Sequence, residues 1–208
     1  MYYSEKLNSI THLVGAILAL VGMGALLTVA LMQQNILLFI GFAIFGFTLV
    51  MLYSVSTLYH SFKSPKPKQI FKKLDHIAIY FLIAGTYTPV LLVTLIDSNG
   101  LWILFAEVML LVIGIILELK IKERIEWLQS TIYLTMGWLV VLDFTALKSV
   151  MPMAGVSWLI AGGLAYTIGI VFYFLDDKKV LKHAHGIWHM FVLTGSLCHF
   201  ITIIVYVR

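Results

Sequence analysis

The sequence predicts an all-α integral membrane protein, a bundle of seven transmembrane helices, and three observations carry that expectation. Of 208 residues, 61% are hydrophobic and only 12% charged, with a mean hydropathy of +0.99. A water-soluble domain holds about 25% charged residues and has no way to hide that much apolar surface. The apolar residues fall into seven runs, each near the roughly 20 residues with which a helix crosses a hydrocarbon core about 30 Å thick. The lysines and arginines gather in alternate connections between those runs, the pattern of a chain whose short loops are sorted by charge.

The elements follow in order. The first run, 10–32, is too long for a signal-peptide core and shows no small-residue cleavage site before Gln33, so it reads as a retained helix. The three residues Gln33, Gln34 and Asn35 leave room only for a tight hairpin into the second run, 36–60. The third, 74–96, contains Pro89, which lacks an amide hydrogen and crowds the preceding turn, so a kink is expected there. Asp97, Ser98 and Asn99 make a second tight hairpin into 100–118, and 127–147, 154–175 and 185–207 complete the set. Gly15, Gly22, Gly46, Gly162, Gly163 and Gly169 fall inside the spans, where small residues let helix backbones approach. With loops this short, residues 1–208 are expected to form a single membrane domain.

Orientation is read from the basic residues. Lys6, the group Lys63, Lys66, Lys68, Lys72 and Lys73, then Lys120, Lys122 and Arg124, then Lys178, Lys179 and Lys182 all lie on one face, against Lys148 and Arg208 on the other. Retention of positive loops inside the cell places the N-terminus in the cytoplasm and the C-terminus outside, with the protein in the cell membrane. The same placement explains the net charge of +4 without nucleic acid as a partner. The one cysteine, Cys198, lies inside an apolar run and is expected to be a packed thiol, with no intramolecular disulfide available to it. Tyr2, Tyr3, Trp102, Trp127, Trp158 and Tyr206 lie near span ends and read as interfacial anchors.

Ionisable residues within a membrane are costly and point to function by default. Here they share a depth. Ser56 and His60 end the second span, Asp75 and His76 open the third, and His185 and His189 open the seventh, all at the face assigned to the cytoplasm. His185 and His189, four residues apart, lie on one helical face and can grip one ion. Taken alone, an H-x-x-x-H pair is more often two interfacial histidines. Ser56 and His60 repeat the offset on another span, however, and together the two helices offer three imidazoles, His60, His185 and His189. Zinc held by three protein ligands keeps a position open, as in catalytic sites. Asp75 is placed to orient or deprotonate water there, and Ser56 lies one turn deeper.

These segments also carry a resemblance. Residues 56–60 (STLYH), 75–80 (DHIAIY) with 84–89 (AGTYTP), and 185–189 (HGIWH), extended by 8–15 (NSITHLVG) and 195–200 (GSLCHF), resemble the bacterial hemolysin III proteins, the prokaryotic branch of the progestin and adiponectin receptor family. The resemblance covers essentially the whole chain. It implies seven helices with a cytoplasmic N-terminus, a zinc ion held by His60, His185 and His189, and Asp75 and Ser56 beside the ion. Through the same Ser, Asp and His pattern the family is similar to membrane ceramidases, which hydrolyse lipid amides. The animal receptors carry a long cytosolic N-terminal region, whereas about nine residues precede the first span here, so a hormone-receptor role is not expected.

The expected function is a zinc-dependent hydrolase of a lipid amide or ester, fed from the bilayer. A non-enzymatic membrane sensor or homeostasis factor is the alternative, and a haemolytic pore ranks last because the polar cluster occupies one end of the bundle. The remaining polar residues have lesser expected roles. His12 and His76 are read as outer partners of the site or interfacial groups, and His183 as a loop residue. His199, some 20 Å deeper than His185 by helix rise, is expected to make an interior hydrogen bond. Glu107 and Asp143, in the outer halves of their spans, are expected to be protonated or paired.

Overall fold

The computed structural model describes residues 5–121 and 123–208. Lys122 of the charge count and Tyr2 and Tyr3 of the proposed anchors lie outside the described residues. Among the described residues, seven helical segments are long and apolar enough to cross a membrane. They are α1 (Lys6–Gln33), α2 (Ile36–Ser61), α3 (Pro65–Pro89) with the turn that continues it, α4 (Gly100–Lys120), a composite span from Glu126 to Val150, α7 (Met153–Asp177) and α8 (Ala184–Tyr206). The composite span comprises α5 (Glu126–Trp138) and α6 (Phe144–Val150). Large apolar side chains face outward as well as inward. Val21 is 68% exposed and Leu142 75%, an arrangement that suits lipid and not water. The chain is a multi-pass membrane protein.

Antiparallel neighbours follow from the hairpins. At the first, Gln34 adopts the left-handed conformation that ends α1, and the Asn35 side chain accepts hydrogen bonds from the amides of Leu37 and Leu38, capping α2. Around the bundle α1 lies between α2 and α8, α8 packs on α7, and α3 packs against α2, α4 and α5. The α3 span is the most enclosed: 61% of its apolar stretch is buried, against 22% in α1, α4 and α7. Its close approach to α2 depends on Gly41, where an added Cβ would lie 2.8 Å from the Pro89 Cα.

Three details differ from the sequence reading. The third helix begins at Pro65, not near residue 74, so Lys66, Lys68, Lys72 and Lys73 ride on its first turns. Pro65 and Pro67 start it well because a first-turn amide has no partner to lose. At Pro89, where a kink is expected, the helix does not end but passes into one wide π turn, Val90–Thr94. The fifth span is interrupted, tightening into a 3-10 segment at Leu139–Asp143 between α5 and α6. Just before it, the Tyr87 hydroxyl donates to the Gly137 carbonyl at 2.6 Å.

At the lysine-rich end, Arg124 ties the α4–α5 connection into the bundle. It lies 3.2 Å from Glu118 of α4, donates to the hydroxyls of Tyr173 (3.1 Å) and Tyr133 (3.2 Å), and sits 3.5 Å from Glu126. Its surroundings raise its already high pKa: burial alone would lower it, but the nearby tyrosines, Glu118 and Glu126 outweigh that effect. Replacing Arg124 with Met leaves the Glu118 carboxylate, 4% exposed, with only His76 at 3.6 Å. Breaking one side of such a pair costs about 3–5 kcal/mol. The variant is therefore expected to melt well below wild type in detergent, and an unchanged melting temperature would contradict this role.

Candidate metal centre

The topology brings together the starts of α1, α5 and α8, the ends of α2 and α7, and the α3 face carrying Asp75 and His76. They enclose a cavity of about 360 Å³ whose walls include Ser56, His60, Asp75, His185 and His189. His60 comes from α2, and His185 and His189 from successive turns of α8. One ring nitrogen from each of these three lies within 4.8 Å of the other two, a group able to hold a metal ion. His60 Nε2 and His185 Nε2 are 3.3 Å apart, and the three ring centroids are separated by 4.7–5.0 Å.

Each ring is oriented by a partner on its other nitrogen. His60 Nδ1–H donates to Glu5, and His185 Nδ1–H donates to Asp176 at 3.0 Å. Thr11 lies 3.2 Å from His189 Nδ1. The single Thr11 hydroxyl proton is directed at the backbone carbonyls of Leu7 and Asn8, each 3.0 Å away, so toward His189 the oxygen acts as acceptor. All three rings then carry their proton on Nδ1 and present an Nε2 lone pair. Three converging lone pairs repel unless a cation stands among them, and a carboxylate or similar acceptor behind each imidazole is the usual support of a metal-bound histidine. The residues therefore fit a metal.

Glu5 adds the charge argument. Burial pushes its carboxyl pKa up, but the hydrogen bonds from His60 and Lys68 and the positive charge of Lys68 outweigh that and hold it at about 2. It is an anion at neutral pH, set behind the site. Replacing Glu5 or Asp176 with Ala is expected to lower metal affinity by about 10–100-fold. Chelator competition measures this, and wild-type affinity in both variants would remove these carboxylates from the site.

Ser56 is 1% exposed and its Oγ has no hydrogen-bond partner among the described residues, leaving a buried hydroxyl for whatever occupies the cavity. Asp75 lines the same cavity and is partly exposed. Of the other histidines, His12 and His76 also line this cavity without belonging to the trio. His12 stacks on His189, with centroids 3.5 Å apart and planes 13° from parallel. His76 turns Nδ1 toward Glu118, and His183 is exposed at the start of α8. Asp143 accepts hydrogen bonds from the backbone and side-chain amides of Asn99. Glu107 is fully buried with neither oxygen partnered among the described residues.

His199 departs from expectation. Its Nδ1 has no hydrogen-bond partner among the described residues, because its neighbours on α7 are Gly162 and the face of the Tyr166 ring. Sequence reasoning missed Glu5, Thr11 and Asp176. Glu5 and Asp176 lie at the ends of their spans, where they resemble ordinary boundary charges.

Beside the polar cavity lies a second, of about 270 Å³, whose wall is almost wholly apolar. The two share Leu52, Ile79, Trp188 and Val192, so the apolar space begins where the histidine site ends.

Comparison with known proteins adds an independent finding. The family model described as "Haemolysin-III related" matches residues 2–200. The chain is 40% identical to "Hemolysin-3" of Bacillus cereus over 204 residues, 98% of this chain and 91% of that protein. It is 38% identical to "Hemolysin-3 homolog" of Bacillus subtilis (strain 168), over 97% of this chain and 93% of the relative. Similarity to the human "Monocyte to macrophage differentiation factor" is 30% over 171 residues, 77% of this chain and 67% of that protein. No solved structure matches.

Proposed function

Because the chain belongs to the haemolysin-III-related family, we propose that it is a zinc-dependent hydrolase of a lipid amide or ester. In this reading the N-terminus lies in the cytoplasm and the reaction takes place near the cytoplasmic surface of the cell membrane. The observation that carries it is the adjacency of two cavities: three imidazoles with converging nitrogens beside Asp75 and the unpartnered Ser56 hydroxyl, next to an apolar space suited to an acyl chain.

His60, His185 and His189 would hold the ion, with Glu5, Asp176 and Thr11 fixing their rings. Zinc supplies Lewis acidity toward a carbonyl and acidifies water beside it. Asp75 accepts the proton lost by the attacking water and returns it to the amine nitrogen or alcohol oxygen that leaves as the acyl bond breaks. Ser56 donates a hydrogen bond to the oxygen on which negative charge develops. The apolar cavity receives the hydrocarbon chain and keeps bulk water from it.

Purified, zinc-loaded protein is expected to release fatty acid from an N-acyl or O-acyl lipid. Failure on both classes with stoichiometric zinc retained would overturn the hydrolase reading. A membrane sensor is the second reading, favoured by one observation: the histidines and their partners come from α1, α2, α7 and α8, so an ion there would bias how four helices pack. The pore suggested by the relatives' names finds no support in the apolar cavity, whose wall is almost wholly apolar.

A further inference from the structure

All the hydroxyl groups on the wall of the apolar cavity are spent on the fold. Five hydroxyl groups line it. Thr86 donates to the Leu82 carbonyl, Tyr87 to Gly137, Tyr133 to His76 and Thr167 to Gly163, while Tyr166 is hydrogen-bonded to Ser196. The sixth group, His199, is different. It is 7% exposed; its Nδ1 is shut in with no partner among the described residues, and its Nε2, which makes no hydrogen bond to them either, is the nitrogen left to meet a ligand, a costly state for a buried ring.

The ring is also held in place. It stacks on Tyr166 with centroids 5.4 Å apart and planes 25° from parallel. On its other side it fills the space left by Gly162, where an added Cβ would lie 2.6 Å from Nε2. A group fixed in this way is pre-organised for a partner that the protein itself does not provide.

We infer that His199 recognises an oxygen on the hydrocarbon chain of the bound lipid, so that the cavity favours an acyl chain with a hydroxyl or keto group near its middle over a plain one. The inference rests on the reading above, in which the chain lies in this cavity with its carbonyl end at the histidine trio. Position sets the preference. His199 is ten residues beyond His189 on α8, about 15 Å along the axis at the helical rise. An oxygen beside the carbonyl stays at the polar end, and only a mid-chain oxygen reaches His199. A neutral imidazole has one donor and one acceptor nitrogen, so it serves a hydroxyl or a ketone. A site built to hydrogen-bond such a group discriminates against the analogue that lacks it.

The test is competition for the purified, zinc-loaded protein against a fluorescent fatty acid. The competitors are stearate, a mid-chain hydroxystearate, and stearate hydroxylated beside its carboxyl. The mid-chain acid is expected to bind about tenfold more tightly than the other two, the effect of one desolvated hydrogen bond. His199→Leu is expected to make all three alike, and His199→Gln, which keeps a donor and an acceptor, to retain part of the preference. Equal binding of the three acids to wild type, or a preference that survives in His199→Leu, overturns the inference. If the leucine variant does not fold, the wild-type comparison still decides. Binding of none of the acids overturns both this inference and the placement of the chain. A preference without any lipid hydrolysis leaves the inference standing and removes the hydrolase.

Discussion

Zinc content is expected to fall from stoichiometric in wild type to background in His60→Ala, His185→Ala and His189→Ala, each purified in the same detergent and measured by elemental analysis. The physical reason is the ligand count. With three imidazoles and no fourth protein ligand among the described residues of the trio, loss of one leaves two nitrogens, too few for a stable site. The effect should exceed the roughly 10–100-fold loss that follows removal of an outer partner. Each variant removes only an imidazole, so the helices should persist, and unchanged circular dichroism would separate loss of metal from loss of fold. If all four proteins carry equal zinc, the ion is held elsewhere.

The second large effect concerns Asp75. Replacement by Ala is expected to lower lipid hydrolysis by about 10²–10⁴-fold, the usual contribution of a positioned general base, while zinc remains bound. The split follows from geometry: Asp75 lines the cavity but is not among the three residues whose nitrogens converge. Loss of both zinc and activity would recast Asp75 as part of the metal's support. Full hydrolysis with zinc retained would eliminate it as the base and leave the proton to another group.

Much of the fold was legible because a bilayer imposes a length. Runs such as 36–60 and 154–175 announce spans, and the helices found there are Ile36–Ser61 and Met153–Asp177. The start of α3 was less legible. Its first turns carry Lys66, Lys68, Lys72 and Lys73, and a hydropathy reading treats a charged stretch as loop even where prolines initiate a helix. The break between α5 and α6 was not read, because it falls inside an apolar run that hydropathy treats as one continuous span.

The site divides in the same way. His60, His185 and His189 were assembled from spacing on each helix and from shared depth, two properties that lie along the chain. Their orientation by Glu5, Asp176 and Thr11 was not, and neither was the isolation of His199. The sequence by itself determined the seven spans and which polar residues share one end, because span length and helical period are local. Only the tertiary structure decided which nitrogens point inward, which acceptor stands behind each, and that an apolar cavity adjoins them. Hydrogen bonds require atoms within about 3 Å. Whether two helices meet that distance depends on their rotation and register, which hydropathy does not encode.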